Sequence, residues 1–187
     1  MGCDIHGWVE VKEEKHWFAA INIRGILWEN YDMFGCLFGV RNYAMFKPIA
    51  QKRGIPEDAS FRTGEDYREG ITDWHSASWI TWKEIKEIDW EEESETEDSR
   101  IHVYEIKDDG SETFLEKFSW SSELTEEEYT TLLENKEVRK ENKIYRMEKL
   151  KRKDAISSDW QLLFELMEVL AKVYGDEGVR LIVWFDN

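Results

Sequence analysis

Asp4 and His6 stand at a D-x-H spacing in the opening MGCDIH, with Gly7 next. In an extended backbone alternate side chains share a face, so the carboxylate and the imidazole point the same way with Cα atoms roughly 6.5–7 Å apart. Such a pair can converge on one divalent ion. The same two residues read equally well as a strand-edge Asp capping a turn and a half-buried His bonded to backbone.

A second candidate is His75, in Trp74-His75-Ser76-Ala77-Ser78-Trp79, just ahead of a capped helix start at Thr81. Backbone N–H groups and the dipole at a helix amino terminus favour an anion. The simpler reading has the serines capping the helix and His75 packed between tryptophans. Asp4, His6 and His75 are therefore the candidate metal ligands, and Asp186, Arg41 and Ser76 the candidate catalytic residues. This N/O donor set suits Zn²⁺, Mn²⁺ or Fe²⁺. A bound ion would lower the pKa of a water toward about 7. Asp186 would serve as ligand or base, and Arg41 would clamp a carboxylate or phosphate.

Other residues weigh less. Glu10 lies four positions beyond His6, about 13 Å along a strand, too far to share its ion. Cys3 points away from Asp4 and His6 and reads as core, as does Cys36 amid Phe34, Leu37 and Phe38. His16 and His102 sit beside charged residues and read as surface. The ten tryptophans read as core or as a partner-binding face.

The elements that must position these residues follow from periodicity. Residues 3–12 alternate, with Ile5, Val9 and Val11 on one face and Asp4, His6, Trp8 and Glu10 on the other; residues 16–23 complete a hairpin turning at 13–15. Residues 30–40 read as a short helix. From 41 to 79 the chain looks loop-rich, punctuated by Pro48, Gly54, Pro56, Gly64 and Gly70. Thr81 with Glu84, Thr125 with Glu128, and Ser158 with Gln161 carry the spacing of capping boxes. Residues 101–106 and 113–120 flank Asp108-Asp109-Gly110 as a second hairpin. Residues 159–174 are apolar almost all round, with Leu162, Leu166, Val169 and Val173 widening the main stripe, so this helix is expected to be largely buried. Gly175 is its expected C-cap. The near-continuous apolar run 179–185 reads as a central strand beside the amino-terminal one, which would carry Asp186 toward Asp4. The fold class is α+β: a mixed or antiparallel sheet including both terminal strands, packed against two or three helices, in a single domain spanning 1–187.

Composition narrows the function classes. A 41% hydrophobic and 14% aromatic content excludes disorder despite 35% charged residues. No run approaches the roughly 18–20 apolar residues of a membrane span, and Asp4, Glu10 and Glu13 interrupt any signal peptide. Two cysteines offer no disulfide framework, so a cytoplasmic protein is expected. The net charge of −16 argues against binding a nucleic-acid backbone. Most of that charge lies beyond residue 80, densest at 87–98, where eight of twelve residues are acidic. That run reads as a solvated loop, or as a surface steering a basic partner.

The MGCDIHGWVEV start, NYDMFGCLFGVRN, RGIPEDAS, HSASW and the closing VRLIVWFDN resemble an uncharacterised family of small proteins found largely in bacteriophages and prophages. The blocks span the chain, with the acidic middle least similar. The resemblance implies a phage or bacterial cytoplasmic setting and groups Asp4, His6, Arg41, Asn42, His75, Ser76 and Asp186 as motif-bearing polar positions; it implies no activity. D-x-H-G is also similar to the first motif of the calcineurin-like metallophosphoesterases. The G-N-H-[DE] block and further His ligands of that family are absent, which leaves only a chemical analogy. Two functions are expected from these residues: hydrolysis of a phosphoester or related bond at a polar, metal-binding site, or non-catalytic sequestration of a nucleotide or a basic host protein. The sequence leaves the oligomeric state open.

Overall fold

The computed structural model describes residues 2–187. In chain order the elements are β1 (Ile5–Glu13), β2 (His16–Asn22), α1 (Tyr31–Phe38), α2 (Phe61–Glu69), β3 (His75–Thr81), α3 (Trp82–Lys86), β4 (Ile101–Ile106), β5 (Glu112–Phe118), α4 (Glu126–Asn135), β6 (Glu137–Lys140), β7 (Lys143–Arg146), α5 (Ser158–Tyr174) and β8 (Val179–Phe185). The fold is α+β, with two antiparallel sheets ordered β2-β1-β8-β3 and β5-β4-β7-β6. No helix among the described residues is long and apolar enough to cross a membrane.

The first sheet holds the two chain ends together. β8 runs between β1 and β3, and all seven of its residues are buried. Its register with β1 pairs Ile5 with Phe185, His6 with Trp184 and Glu10 with Arg180. Directly opposed residues share a face, so the sheet has two unlike sides. Ile5, Val9, Val11, Leu181, Val183 and Phe185 face the main core with Met33, Phe34 and Phe38 of α1 and Trp160, Leu163 and Met167 of α5. The opposite face carries His6, Trp8, Glu10, Arg180 and Trp184 and is covered by α2 and the turn that follows it. There Trp8 Nε1 donates to Asp66 (2.8 Å) and Tyr67 meets Trp184 edge-on.

On that second face Glu10 and Arg180 form a buried ion pair. Arg180 donates from Nε and Nη2 to Glu10 Oε2 at 3.0 and 2.8 Å. The Ser60 N–H and the Thr63 hydroxyl donate to Glu10 Oε1 at 2.9 and 2.6 Å. The guanidinium lies 3.8 Å from the Trp17 ring centroid. Ser60 is also the N-cap of α2, accepting from Thr63 N, so one carboxylate ties β1, β8 and the start of α2. The stretch 41–79 looks like loop in sequence because α2 is polar and holds Gly64; tertiary bonds to Glu10 and a cap at Ser60 supply what its own apolar stripe lacks.

Further departures have equally local causes. Thr81 and Thr125 form full capping boxes, but α5 does not: its N-cap is Ser157, without a side-chain cap bond. Asn30 takes the Ser157 hydroxyl, donating from Nδ2 at 2.8 Å, and Gln161 turns to Glu165 instead. β6 and β7, four residues each, are too short to show a period. α5 is not buried all round. Trp160, Leu163, Phe164, Met167 and Ala171 face inward, while Leu162, Val169 and Val173 are 49, 58 and 75% exposed. The sheet covers one flank of a helix and leaves the other to solvent.

His102, expected at the surface, is only 1% exposed. It lies on β4 with Nε2 3.0 Å from Asp98 Oδ2 and Nδ1 2.9 Å from Glu148 Oε1. Arg100 donates to Asp98 and to Asp32 of α1, linking the second sheet to the first core. Burial raises the Asp98 pKa, but the bonds from His102 and Arg100 outweigh it and hold the carboxyl far below the usual carboxylate range.

Two stability predictions follow from these networks. Arg180→Met strands a buried carboxylate and is expected to cost about 3–5 kcal/mol; pairing it with Glu10→Leu should recover much of that, read by urea unfolding. For Asp98, a depressed folded pKa means stability present above the unfolded value near ~3.9 and lost as pH falls through the folded value. Asp98→Asn should cost about 3 kcal/mol at neutral pH. The gap from wild type should narrow below about pH 4, measured by unfolding across pH.

Candidate functional site

Gly7 sets how closely the first and last strands approach beside His6. Its φ is 149°, and a Cβ there would collide with the carbonyl oxygen of Ile182. Glycine after the D-x-H pair thus serves the packing of β1 on β8, which carries His6 and Asp186 to one place.

That place lies where the two chain ends meet. His6 Nε2 is 3.3 Å from Asp186 Oδ2. The Asp4 N–H donates to Asp186 Oδ1 at 3.3 Å, and the Asp186 N–H donates to the Asp4 carbonyl at 3.2 Å. The His6 ring packs against Trp74 with centroids 4.7 Å apart. Asp186 therefore fixes the imidazole from one side and Trp74 from another. Asp4 and His6 open onto a cleft of about 630 Å³ whose wall also includes Arg24, Trp28 and Glu29.

His75 and Ser76 are not part of this cleft. His75 pairs in register with Phe185, as Ile5 does, and its ring stacks on Phe185 at 6.1 Å. It therefore belongs to the core face, whereas His6 and Trp184 belong to the other. Its Nδ1 meets the Ser76 hydroxyl at 3.0 Å, and Nε2 is buried without a partner among the described residues. Ser76 adopts φ 51° at a register shift in β3. That strand separates His75 from the helix start at Thr81, so the expected anion site at a helix terminus beside His75 does not form. The tryptophan contact expected of His75 belongs to His6.

Arg41, also at positive φ (49°), donates from Nη2 to the Asn187 side chain at 2.9 Å. Its guanidinium also approaches Cys3, whose thiol is pushed up by burial more than Arg41 draws it down. Arg41 thus ties Asn187 to Cys3 and lies outside the cleft lining. Asn42 closes the 42–46 turn, donating to the Phe46 carbonyl and accepting the Phe46 N–H. Among the described residues, no group of three or more His, Cys, Asp and Glu is drawn close enough together to hold a metal ion.

Arg24, Trp28 and Glu29 carry only a faint signal in the sequence: two charges and an aromatic in the short connection between a hairpin and a helix. Glu29 Oε1 accepts the Cys3 N–H at 3.0 Å, and burial together with Glu29 raises the Tyr31 pKa. No known protein family, curated protein or solved structure matches the chain.

Gly7→Ala should destabilise the protein by more than about 3 kcal/mol, measured by urea unfolding. Wild-type stability in that variant would mean the two strands are spaced more widely.

Proposed function

We propose that the cleft beside His6 is a small-molecule site in which His6, oriented by Asp186, transfers a proton during hydrolysis of a phosphoester or related bond. The observation that carries this reading is the 3.3 Å approach of His6 to Asp186 at a cleft that Asp4 also lines. A carboxylate on one ring nitrogen selects the tautomer and supports the imidazolium, leaving Nδ1 for the ligand. Arg24, rather than Arg41, is the cation in the cleft wall. Asp4 and Glu29 outnumber it there, and a phosphoester is itself anionic. A divalent ion (Zn²⁺, Mn²⁺ or Fe²⁺) would offset that repulsion; Asp4 would be its donor from the cleft wall, which leaves His6 free to move the proton and His75 excluded. A bacterial or phage cytoplasm is the setting that goes with this reading.

The competing reading, capture of a basic partner by the acidic run, draws less support. Glu91 pairs with Lys151 and Lys153, Glu92 with Arg152, and Asp98 is buried. The run folds along a basic turn and presents fewer unpaired charges than its sequence offers.

Turnover of a phosphoester panel by tag-free protein, with and without added Zn²⁺, Mn²⁺ or Fe²⁺, tests the proposal. His75→Ala should match wild type, and Asp4→Asn should lose any stimulation by metal. His6→Ala should fall about 100-fold or more. Equal turnover in wild type and His6→Ala would refute the reading.

A further inference from the structure

The outer side of α5 carries an apolar seam with no partner among the described residues. Leu162, Leu166, Val169 and Val173 are spaced 4, 3 and 4 residues apart, the d-a-d-a pattern of a helix that packs against another helix. Leu162, Val169 and Val173 are exposed and Leu166 is partly so. A helix stripe turned to water at this spacing is costly to leave uncovered.

We propose that this seam is an interface with a second copy of the same chain, α5 packing antiparallel on α5 about a twofold axis. The charges beside the seam select this occupant. With Leu166 and Val173 at a, Glu165 and Lys172 both fall at g. Both are exposed and neither forms an ion pair among the described residues. In an antiparallel pair each g faces a g, so Glu165 meets the partner's Lys172 and Lys172 meets the partner's Glu165. A parallel pair would set them against e positions, here Leu163 and Leu170, and match neither charge. The seam is thus complementary to itself in one orientation only, as a twofold interface requires.

The antiparallel register places Leu162 against the partner's Val173, and Leu166 against the partner's Val169. Trp28, 73% exposed, lines the same hollow as Leu162 and extends the apolar surface at each end. Seventeen residues give a helix of only about 25 Å. A contact of this length falls near the lower limit of a stable interface, roughly 1,200 Å², so a reversible dimer of micromolar to millimolar affinity is expected.

Sedimentation equilibrium of the full chain in about 0.15 M salt is the test. The mass should rise with concentration from 22.4 kDa toward twice that value. Val169→Glu, at an exposed position, should stay monomeric while circular dichroism and urea midpoint match wild type. Glu165→Lys should weaken association roughly tenfold by replacing two attractions with two repulsions. Adding Lys172→Glu should restore it to within about threefold. A wild type that remains monomeric at about 0.5 mM overturns the proposal, as does a dimer indifferent to Val169→Glu or to the charge exchange.

Discussion

β1 and β8 come from opposite ends of the chain and pair antiparallel along seven residues, and the register of that pairing is fixed by the Glu10–Arg180 ion pair and by the absence of a side chain at Gly7. A slip of one residue would turn Arg180 into the aliphatic core and Leu181 out of it, because strand side chains alternate with period two. Two charges buried together, with every Glu10 oxygen bonded, tolerate one arrangement. The helices then distribute themselves over two unlike faces. α1 and α5 cover the aliphatic face, while α2 docks through Ser60, Thr63 and Asp66 on the polar and aromatic one.

The same alternation decides what chemistry the chain ends can do. Asp4, His6 and Asp186 gather on the α2 side, and His75 is carried to the core side with Phe185. A donor set that looks tetradentate on paper is divided by the thickness of a β-sheet. What remains at the cleft is a histidine held by a carboxylate and an indole. Arg41 serves the joint between the chain ends.

The second sheet shows how a strongly acidic chain stays folded. Its charges are gathered into networks instead of being left opposite one another. His102 bridges Asp98 and Glu148, Arg100 spans Asp98 and Asp32, and Arg146 reaches Glu112 and Glu137. Asp32 also takes Lys117 from β5. These contacts, more than apolar packing, bind the second sheet to α1, since its own hydrophobic cluster is small.

Local rules read from the sequence determined much of this protein. The terminal strands, the β1–β2 hairpin, the capping boxes at Thr81 and Thr125, the Gly175 cap and the shared side of Asp4 and His6 all rest on neighbours within a few residues, where periodicity and capping chemistry act directly. The central place of β8 was legible as well, because an all-apolar strand needs cover on both faces; that β1 is its neighbour, which brings Asp186 to Asp4, was expected from the sequence but is fixed by the pairing itself. Only the tertiary structure decided the rest. α2 exists as a helix through bonds to a carboxylate fifty residues away, and His102 is buried because Glu148, from a distant segment, completes the pairing that Asp98 begins four residues back. One flank of α5 is open because the sheet has a single surface to offer it. His75 parts from His6 because strand order, set by long-range pairing, determines which face of the sheet each residue joins.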